Sequence, residues 1–263
     1  VTGVRLENGE EILADRVVSN VDAKKTFLGL MEPEDAGEKV VKAAKRYKSR
    51  GSSGKLNIAL NGVPEFTALP KGSELIKGDF HIVDNMESYE RGYDEWKDGM
   101  WSTNPYLDIL IPTLTDPTMA PPGKHFMTCF VQYCPAKVKG QDWNADLLKK
   151  FGDNVINSIA KYSPNFKDLI EHVEIRSGQV IDNEIGLTEG NIFQGELSLN
   201  QLMFNRPFHG CAQYRGPVNG LYLSGSTTHP GGGVMGAPGA NSAREILMDM
   251  KISTTVPEDE GDD

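Results

Sequence analysis

A glycine-rich stretch near the C-terminal end is the pattern in this chain with the clearest chemical use. Residues 221–247 read LYLSGSTTHPGGGVMGAPGANSAREIL, which predicts a strand over 220–224, a turn, and a helix over 237–250. Glycines remove side chains where this helix begins, so backbone N–H groups there can approach a ligand closely. The start of a helix also favours negative charge, so the turn suits an anionic group or an electron-rich carbonyl. Four glycines form the turn: Gly231, Gly232, Gly233 and Gly236.

Two readings of this stretch stay open on the residues alone. The glycines either make a tight turn and nothing more, or they form a ligand site, which the flanking strand and helix favour. A flavin gains negative charge at its pyrimidine end on reduction and is a ligand of the kind such a site would hold. His229 is the candidate acid/base or ligand-facing group, and the alternative is a turn residue hydrogen-bonded to backbone.

The stretch resembles the C-terminal FAD-binding segment of the phytoene-desaturase-like family of FAD-dependent oxidoreductases. The likeness is strongest to the group called pyridine nucleotide-disulfide oxidoreductase domain-containing protein 2. Three further segments carry it: GNIFQG at 190–195, ELSLNQLMF at 196–204, and GVRLENGEEILADRVVSNVD at 3–22. The resemblance implies FAD as the cofactor. It places Gly225 and Ser226 near the ribityl-diphosphate part.

The same resemblance places the amides of four residues at the isoalloxazine edge and makes Gly232 a further cofactor-binding residue. The four are Gly233, Val234, Met235 and Gly236. Many flavin amine oxidases carry an acidic residue where this chain has Ser226. The family begins with a βαβ unit carrying G-x-G-x-x-G, which binds the ADP half of FAD, and we find no such unit here. We therefore expect a C-terminal portion whose N-terminal FAD-binding segment is missing. Alone it should bind FAD weakly or not at all and be inactive.

The predicted fold class is α/β, with a mixed or mainly antiparallel sheet and helices in a substrate domain. Both ends of the chain would belong to a Rossmann-like FAD domain. The predicted divisions are residues 1–51 (FAD domain), 52–215 (substrate-binding domain), 216–252 (C-terminal FAD-binding segment) and 253–263 (disordered acidic tail). A hairpin is predicted over 3–18 through Asn8-Gly9, and a helix over 34–47.

Composition excludes several classes of protein. The 263 residues are 38% hydrophobic and carry a formal charge of −10, which opposes binding to nucleic acid. We find no apolar run long enough to span a membrane and no signal peptide, although the resemblance leaves membrane contact open. Three cysteines predict inert, reduced thiols, and so the cytoplasm, or mitochondria in a eukaryote. The chain opens at Val1 inside a predicted strand, which indicates a fragment.

Other residues were weighed for a role at the site. Arg206 and His209 flank Pro207 and either line a substrate cleft or lie at the surface. Three aromatic residues form either part of an apolar pocket wall or ordinary core: Trp96, Trp101 and Tyr106. No metal site is predicted, because none of the five histidines are three or four residues apart.

The sequence and the resemblance together predict an FAD-dependent oxidoreductase when the protein is full length. Its reaction would be removal of hydride from an apolar, isoprenoid-type small molecule, making or isomerising a C–C double bond. Two alternatives remain: a flavin amine oxidase, or a non-catalytic interaction protein that keeps the fold. Neither the oligomeric state nor the catalytic residues follow from the sequence.

Overall fold

The computed structural model describes residues 1–252, so the predicted acidic tail lies outside the described residues. The chain forms two compact units. Unit 1 comprises residues 1–49 and 192–252, and unit 2 comprises residues 50–191. The α/β fold class is confirmed. Within residues 1–252, no helix is long and apolar enough to cross a membrane.

The compact units divide the chain at other positions than the predicted domains. The first division falls at 49/50, close to the predicted 51/52, but the second falls at 191/192 rather than at 215/216. Residues 192–215 therefore belong to unit 1. The physical reason is packing: Phe208 and Cys211 join the core of unit 1, and Arg206 is fully buried there.

Unit 1 opens with the predicted hairpin. Strands β1 (Gly3–Arg5) and β2 (Glu11–Leu13) pair antiparallel, and Gly9 between them has a φ of 89°, which suits glycine. The chain then leaves the hairpin, and β3 (Val17–Ser19) pairs in parallel with β9 (Leu221–Leu223). The hairpin predicted over 3–18 therefore ends at Leu13, and residues 17–19 form a separate strand with a different partner.

Helices close the core of unit 1. The predicted single helix over 34–47 is wrong, because Gly37 has a φ of 80° and separates two helices there. The side chain of Asp22 caps the first helix by accepting from the amide of Lys25. Buried residues include Phe27, Tyr47 and Leu223. The helices of this unit are α1 (Ala23–Leu28), α2 (Pro33–Ala36), α3 (Glu38–Arg46) and α8 (Ala237–Asp249).

Unit 2 is built on a five-stranded antiparallel sheet with the order β5-β6-β7-β4-β8. Its centre is the long pair β4–β7, whose register runs from Ser53 opposite Gln132 to Leu60 opposite His125. The strands are β4 (Ser53–Leu60), β5 (Phe80–Ile82), β6 (Tyr106–Leu110), β7 (His125–Gln132) and β8 (Ile170–Arg176). The helices are α4 (Met86–Lys97), α5 (Ala145–Ala160), α6 (Phe166–Leu169) and α7 (Gly178–Ile185).

The core of unit 2 lies on one face of this sheet. Apolar side chains alternate along β4 and β7, so Leu56 and Ile58 are buried while their neighbours in sequence are more exposed. Phe151 of α5 is fully buried in this core, beside the ring of Trp143. A Cβ at Gly54 would lie 2.7 Å from Cζ of Phe151, so only glycine leaves room for this ring.

We expect Phe151→Ala to lower the free energy of unfolding of unit 2 by about 3–5 kcal/mol, because it leaves a cavity in a closed core. All three tryptophans lie in unit 2, so urea unfolding followed by tryptophan fluorescence measures this loss. Lys149→Ala on the same helix is the control. Its exposed ion pair with Asp153 should contribute less than about 1 kcal/mol. Equal losses in the two variants would contradict this packing.

The three cysteine thiols are buried and unreactive in the folded chain. Burial raises the pKa of Cys134 to about 12 and that of Cys211 to about 11, and it raises the pKa of Cys129 as well. A raised pKa leaves little reactive thiolate near neutral pH. We expect Ellman's reagent to label the native chain slowly and all three thiols rapidly in urea. Rapid native labelling of even one thiol would contradict the buried placement.

Candidate functional site

The glycine-rich turn lies between β9 and α8 of unit 1, as the sequence predicts. Gly231 is buried, Gly232 is half-buried, and residues 233–236 are exposed. Glycines at 231, 233 and 236 do have the G-x-G-x-x-G spacing. Residues 224–230 separate them from the strand, however, so the turn is not the tight strand-to-helix connection of a dinucleotide fingerprint.

The amides of this turn are free to bind a ligand. Within the described part of the chain, no hydrogen bond involves the N–H groups of residues 231–236. Helix α8 also begins without a side-chain cap, because its N-cap is Gly236 in the left-handed conformation with a φ of 66°. The first amides of a helix need partners from outside it. The turn therefore offers a row of unpaired donors beside the positive end of a helix.

The inner side of the turn is held by close contacts that only glycine allows. A Cβ at Gly232 would overlap the ring of Phe193, and a Cβ at Gly225 would lie 2.9 Å from the carbonyl oxygen of Asn20. Gln194 links the same parts: its amide nitrogen donates to Asn20 O at 2.9 Å, and its Oε1 accepts from Thr227 N at 2.9 Å. Phe193 and Gln194 of the GNIFQG segment thus hold the glycine-rich segment in place.

Arg206 is a central residue of this support. Its side chain is fully buried, so the predicted surface role is wrong, and it belongs to unit 1 instead of a substrate domain. Its guanidinium donates to Ser226 O through Nε at 2.9 Å and Nη2 at 2.7 Å. The other acceptors are also backbone carbonyls, those of Phe193, Gly195, Glu196 and Gln201. Burial lowers the pKa of Arg206.

His229 combines features of both sequence readings. Its carbonyl oxygen accepts from the hydroxyl of Tyr214 at 2.8 Å, which fits a residue fixed in a turn. Its Nδ1 is buried without a hydrogen-bond partner among the described residues. An unpaired buried polar atom costs free energy, so this nitrogen is a position where a bound molecule would find a partner.

Two apolar side chains project from the turn. Val234 is fully exposed and Met235 is 54% exposed, so neither packs in the core of unit 1. Gly225 and Ser226, at the other end of the segment, are half-buried. The structure therefore places the predicted residues in one continuous segment. It adds Phe193 and Gln194, which lie in the GNIFQG segment, and Arg206, which lies outside the segments that carry the resemblance.

The three aromatic candidates lie in different places within unit 2. Trp96 is buried, donates to Gly51 O at 2.9 Å, and carries the Arg50 guanidinium 4.7 Å above its ring. These residues line a cavity of about 360 Å³. Trp101 stacks on Trp143 at the core, and Tyr106 lies in β6. They do not form a single wall. His209, the remaining candidate, is exposed in unit 1.

A possible set of metal ligands, missed by the sequence analysis, lies in unit 2. Asp79, His81 and Asp108 bring one ligand atom each within 4.8 Å of one another. Strand pairing joins them, since His81 in β5 is opposite Asp108 in β6, and the histidine-spacing test could not detect this. Burial and the nearby Asp79 raise the pKa of Asp108. Nε2 of His81 lies 3.6 Å from a carboxylate oxygen of Asp79 and 3.7 Å from one of Asp108, so the three side chains also have partners in each other without a metal.

The comparisons with known proteins agree with the family resemblance. The chain is 35% identical over 257 residues to pyridine nucleotide-disulfide oxidoreductase domain-containing protein 2 of Mus musculus, covering 95% of this chain and 44% of that protein. It is 28% identical over 240 residues to phytoene desaturase of Phycomyces blakesleeanus, covering 89% of this chain and 38% of that protein. The resemblance drawn from the sequence is thereby confirmed. The chain spans less than half the length of these relatives.

The fold has a counterpart among solved structures. A triple variant of putrescine oxidase, from a structure-based redesign of cofactor binding, matches with a TM-score of 0.52 at 12% identity. The match covers 95% of this chain and 46% of that chain. At this identity the likeness concerns the fold alone. No family model matches the chain.

Proposed function

We propose that the chain is the C-terminal portion of an FAD-dependent oxidoreductase and that its glycine-rich turn holds the flavin. The observation that carries the proposal is the row of unbonded amides at residues 231–236, in front of an uncapped helix. Amide donors at a helix N-terminus favour negative charge, and a reduced flavin carries negative charge at its pyrimidine end. The names of the relatives support the oxidoreductase class.

The residues present fit such a cofactor. Exposed amides from Gly232 to Gly236 would contact the isoalloxazine edge, and Gly225 and Ser226 would lie toward the ribityl chain and diphosphate. The buried, unpartnered Nδ1 of His229 is a further polar atom that a bound group would satisfy. When bound, the flavin supplies the redox chemistry by accepting hydride, and the protein supplies position, exclusion of water and charge.

A second part of the proposal is that an N-terminal FAD-binding segment completes unit 1. Among residues 1–252, β3 pairs only with β9, and each strand has three residues. Parallel strands normally lie inside larger sheets that are covered on both faces. Val18 of β3 is 49% exposed, as expected for a strand that awaits a neighbour or a covering helix. Most contacts to the diphosphate would come from that segment.

The substrate is proposed to be apolar and to bind on the sheet face of unit 2 that is opposite the core. Phe126 and Phe130 of β7 are half-buried on this face, and Tyr106 of β6 lies two strand positions from Asp108 on the same side. Aromatic rings on an otherwise polar face would suit a hydrocarbon chain with few polar groups. The reaction would be removal of hydride, to make or isomerise a C–C double bond.

A flavin amine oxidase is the second candidate, because unit 2 also holds a group of neighbouring tyrosines. Tyr89 contacts Tyr106 and Tyr133, with ring centroids 5.7 and 5.8 Å apart, and Tyr93 extends the group. Aromatic rings bind cations as well as hydrocarbons. Reduction of the bound flavin by a primary amine but not by a polyene would favour this candidate.

We expect the longer protein that contains this chain to purify with FAD and the chain of residues 1–263 to take up FAD weakly or not at all. The reason is that the described residues 1–252 offer the amides of the turn but no βαβ unit for the diphosphate. Visible absorption of the purified protein and a calorimetric titration of the chain measure the two parts. A colourless full-length protein would overturn the cofactor assignment. Tight, stoichiometric uptake by the chain alone would overturn the need for an N-terminal segment.

We expect Gly236→Val in the longer protein to weaken FAD binding by about tenfold or more, since it crowds the amides at the helix tip. Gly140→Val in unit 2 is the matched control. Both glycines are left-handed, with φ of 66° and 77°, and an added Cβ meets open space at each. The two variants should therefore lose similar stability, and only Gly236→Val should lose FAD. Equal FAD affinity in both would contradict the site.

A further inference from the structure

Arg206 is an unusual buried cation, because the partners that the structure gives it are all neutral. Buried arginines normally pair with carboxylates, which offset the free energy of removing the charge from water. Here the guanidinium instead donates to the backbone carbonyls of five residues: Phe193, Gly195, Glu196, Gln201 and Ser226. Its positive charge is therefore solvated by dipoles and is not neutralised.

These contacts fix one peptide group of the glycine-rich segment from both sides. The carbonyl of Ser226 accepts two hydrogen bonds from Arg206, and the N–H of the same peptide, on Thr227, donates to Oε1 of Gln194 at 2.9 Å. A peptide group is planar with its N–H and C=O pointing in opposite directions. Holding both ends leaves this peptide one orientation.

The same guanidinium also sets the position of the turn. Nη2 donates to Phe193 O at 2.6 Å, and the Phe193 ring lies where a side chain at Gly232 would be. A Cβ at Gly231 would lie 3.3 Å from Nε of Arg206. Arg206 thus binds the segment at Ser226, leaves little room for a side chain at Gly231, and through Phe193 supports Gly232.

We propose that Arg206 is a positioning residue of the cofactor site, which orients the Ser226–Thr227 peptide with Gln194 and places an unneutralised positive charge behind the glycine-rich turn. The inference depends on the proposed flavin site. A positive charge near a flavin stabilises its anionic reduced form, so Arg206 has two separable effects. Its five-donor fork orders the backbone, and its charge raises the midpoint potential of the bound flavin.

The experiment compares Arg206→Lys, Arg206→Met and Gln194→Ala in the longer, FAD-containing protein. Arg206→Met removes both fork and charge, so it should lower the midpoint potential and weaken FAD binding by about tenfold or more. Arg206→Lys keeps the charge, so it should restore most of the potential while FAD binding stays weak. Gln194→Ala removes the hydrogen bond that holds the Thr227 amide, and it should weaken FAD binding without lowering the potential.

Arg215→Met is the matched control, because Arg215 lies in unit 1 and makes ion pairs with Glu245 and Asp249. It should reduce stability and leave the potential and the FAD affinity unchanged. Wild-type potential and affinity in Arg206→Met would overturn the proposal. If Arg206→Met does not fold, Arg206→Lys and Gln194→Ala decide, and wild-type FAD affinity in both would overturn it.

A cofactor-free measurement separates this inference from the proposed function. If the wild-type longer protein holds no FAD, the proposed function fails. The hold of Arg206 and Gln194 on the Ser226–Thr227 peptide is then tested in the chain of residues 1–263. Hydrogen exchange of the Thr227 amide should then be faster in Arg206→Lys and in Gln194→Ala than in wild type. Unchanged exchange in both variants would show that Arg206 and Gln194 do not hold this peptide, and it would overturn the inference as well.

Discussion

The burial of one guanidinium among backbone carbonyls organises the part of unit 1 that contains the glycine-rich turn. Carbonyl groups of irregular backbone must find donors when they are buried, since each unpaired group costs free energy. Arg206 supplies donors to five of them at once, in a region from 193 to 226 that has little regular secondary structure. Arg206 therefore supplies hydrogen bonds to buried carbonyl groups, as neighbouring strands do within a sheet. These hydrogen bonds also fix the position of the glycine-rich turn.

The glycines of the turn have different surroundings on its two sides. On the inner side, a Cβ at Gly232 would overlap the ring of Phe193, and Gly231 has a φ of 108°, which favours glycine. On the outer side, Gly236 meets open space, and its left-handed backbone starts α8 without a cap. The first pair of glycines is explained by packing and the last by the exposed amides. The tight-turn reading therefore accounts for Gly232, whereas the ligand-site reading of Gly236 stays a prediction.

Much of the fold could be predicted from the sequence, because local signals and tertiary structure agree there. Asn8-Gly9 marks the first hairpin, and alternating apolar residues mark β4 and β7. The prediction of one helix over 34–47 is wrong because its apolar spacing continues across Gly37, whose φ of 80° is not helical. The long-range parts had no local signal: the β3–β9 pair, the burial of Arg206 and the Asp79–His81–Asp108 group all join segments by tertiary folding. An arginine in a polar loop is normally exposed, so only the structure reveals its carbonyl partners.

Unit 1 is built from two segments that are distant in the sequence, and this affects the order in which the chain folds. The amide of Ala23 donates to Thr227 Oγ1, so these partners are 204 residues apart, and unit 2 is an insertion between them. Contacts so distant along the chain are slow to form, and synthesis proceeds from the N-terminus. Unit 2 can complete its sheet while the ribosome still holds the last strand. Residues 1–49 must wait, with Phe27 and Tyr47 uncovered, until Leu223 emerges. During that interval residues 1–49 are the part of unit 1 that a chaperone would need to shield.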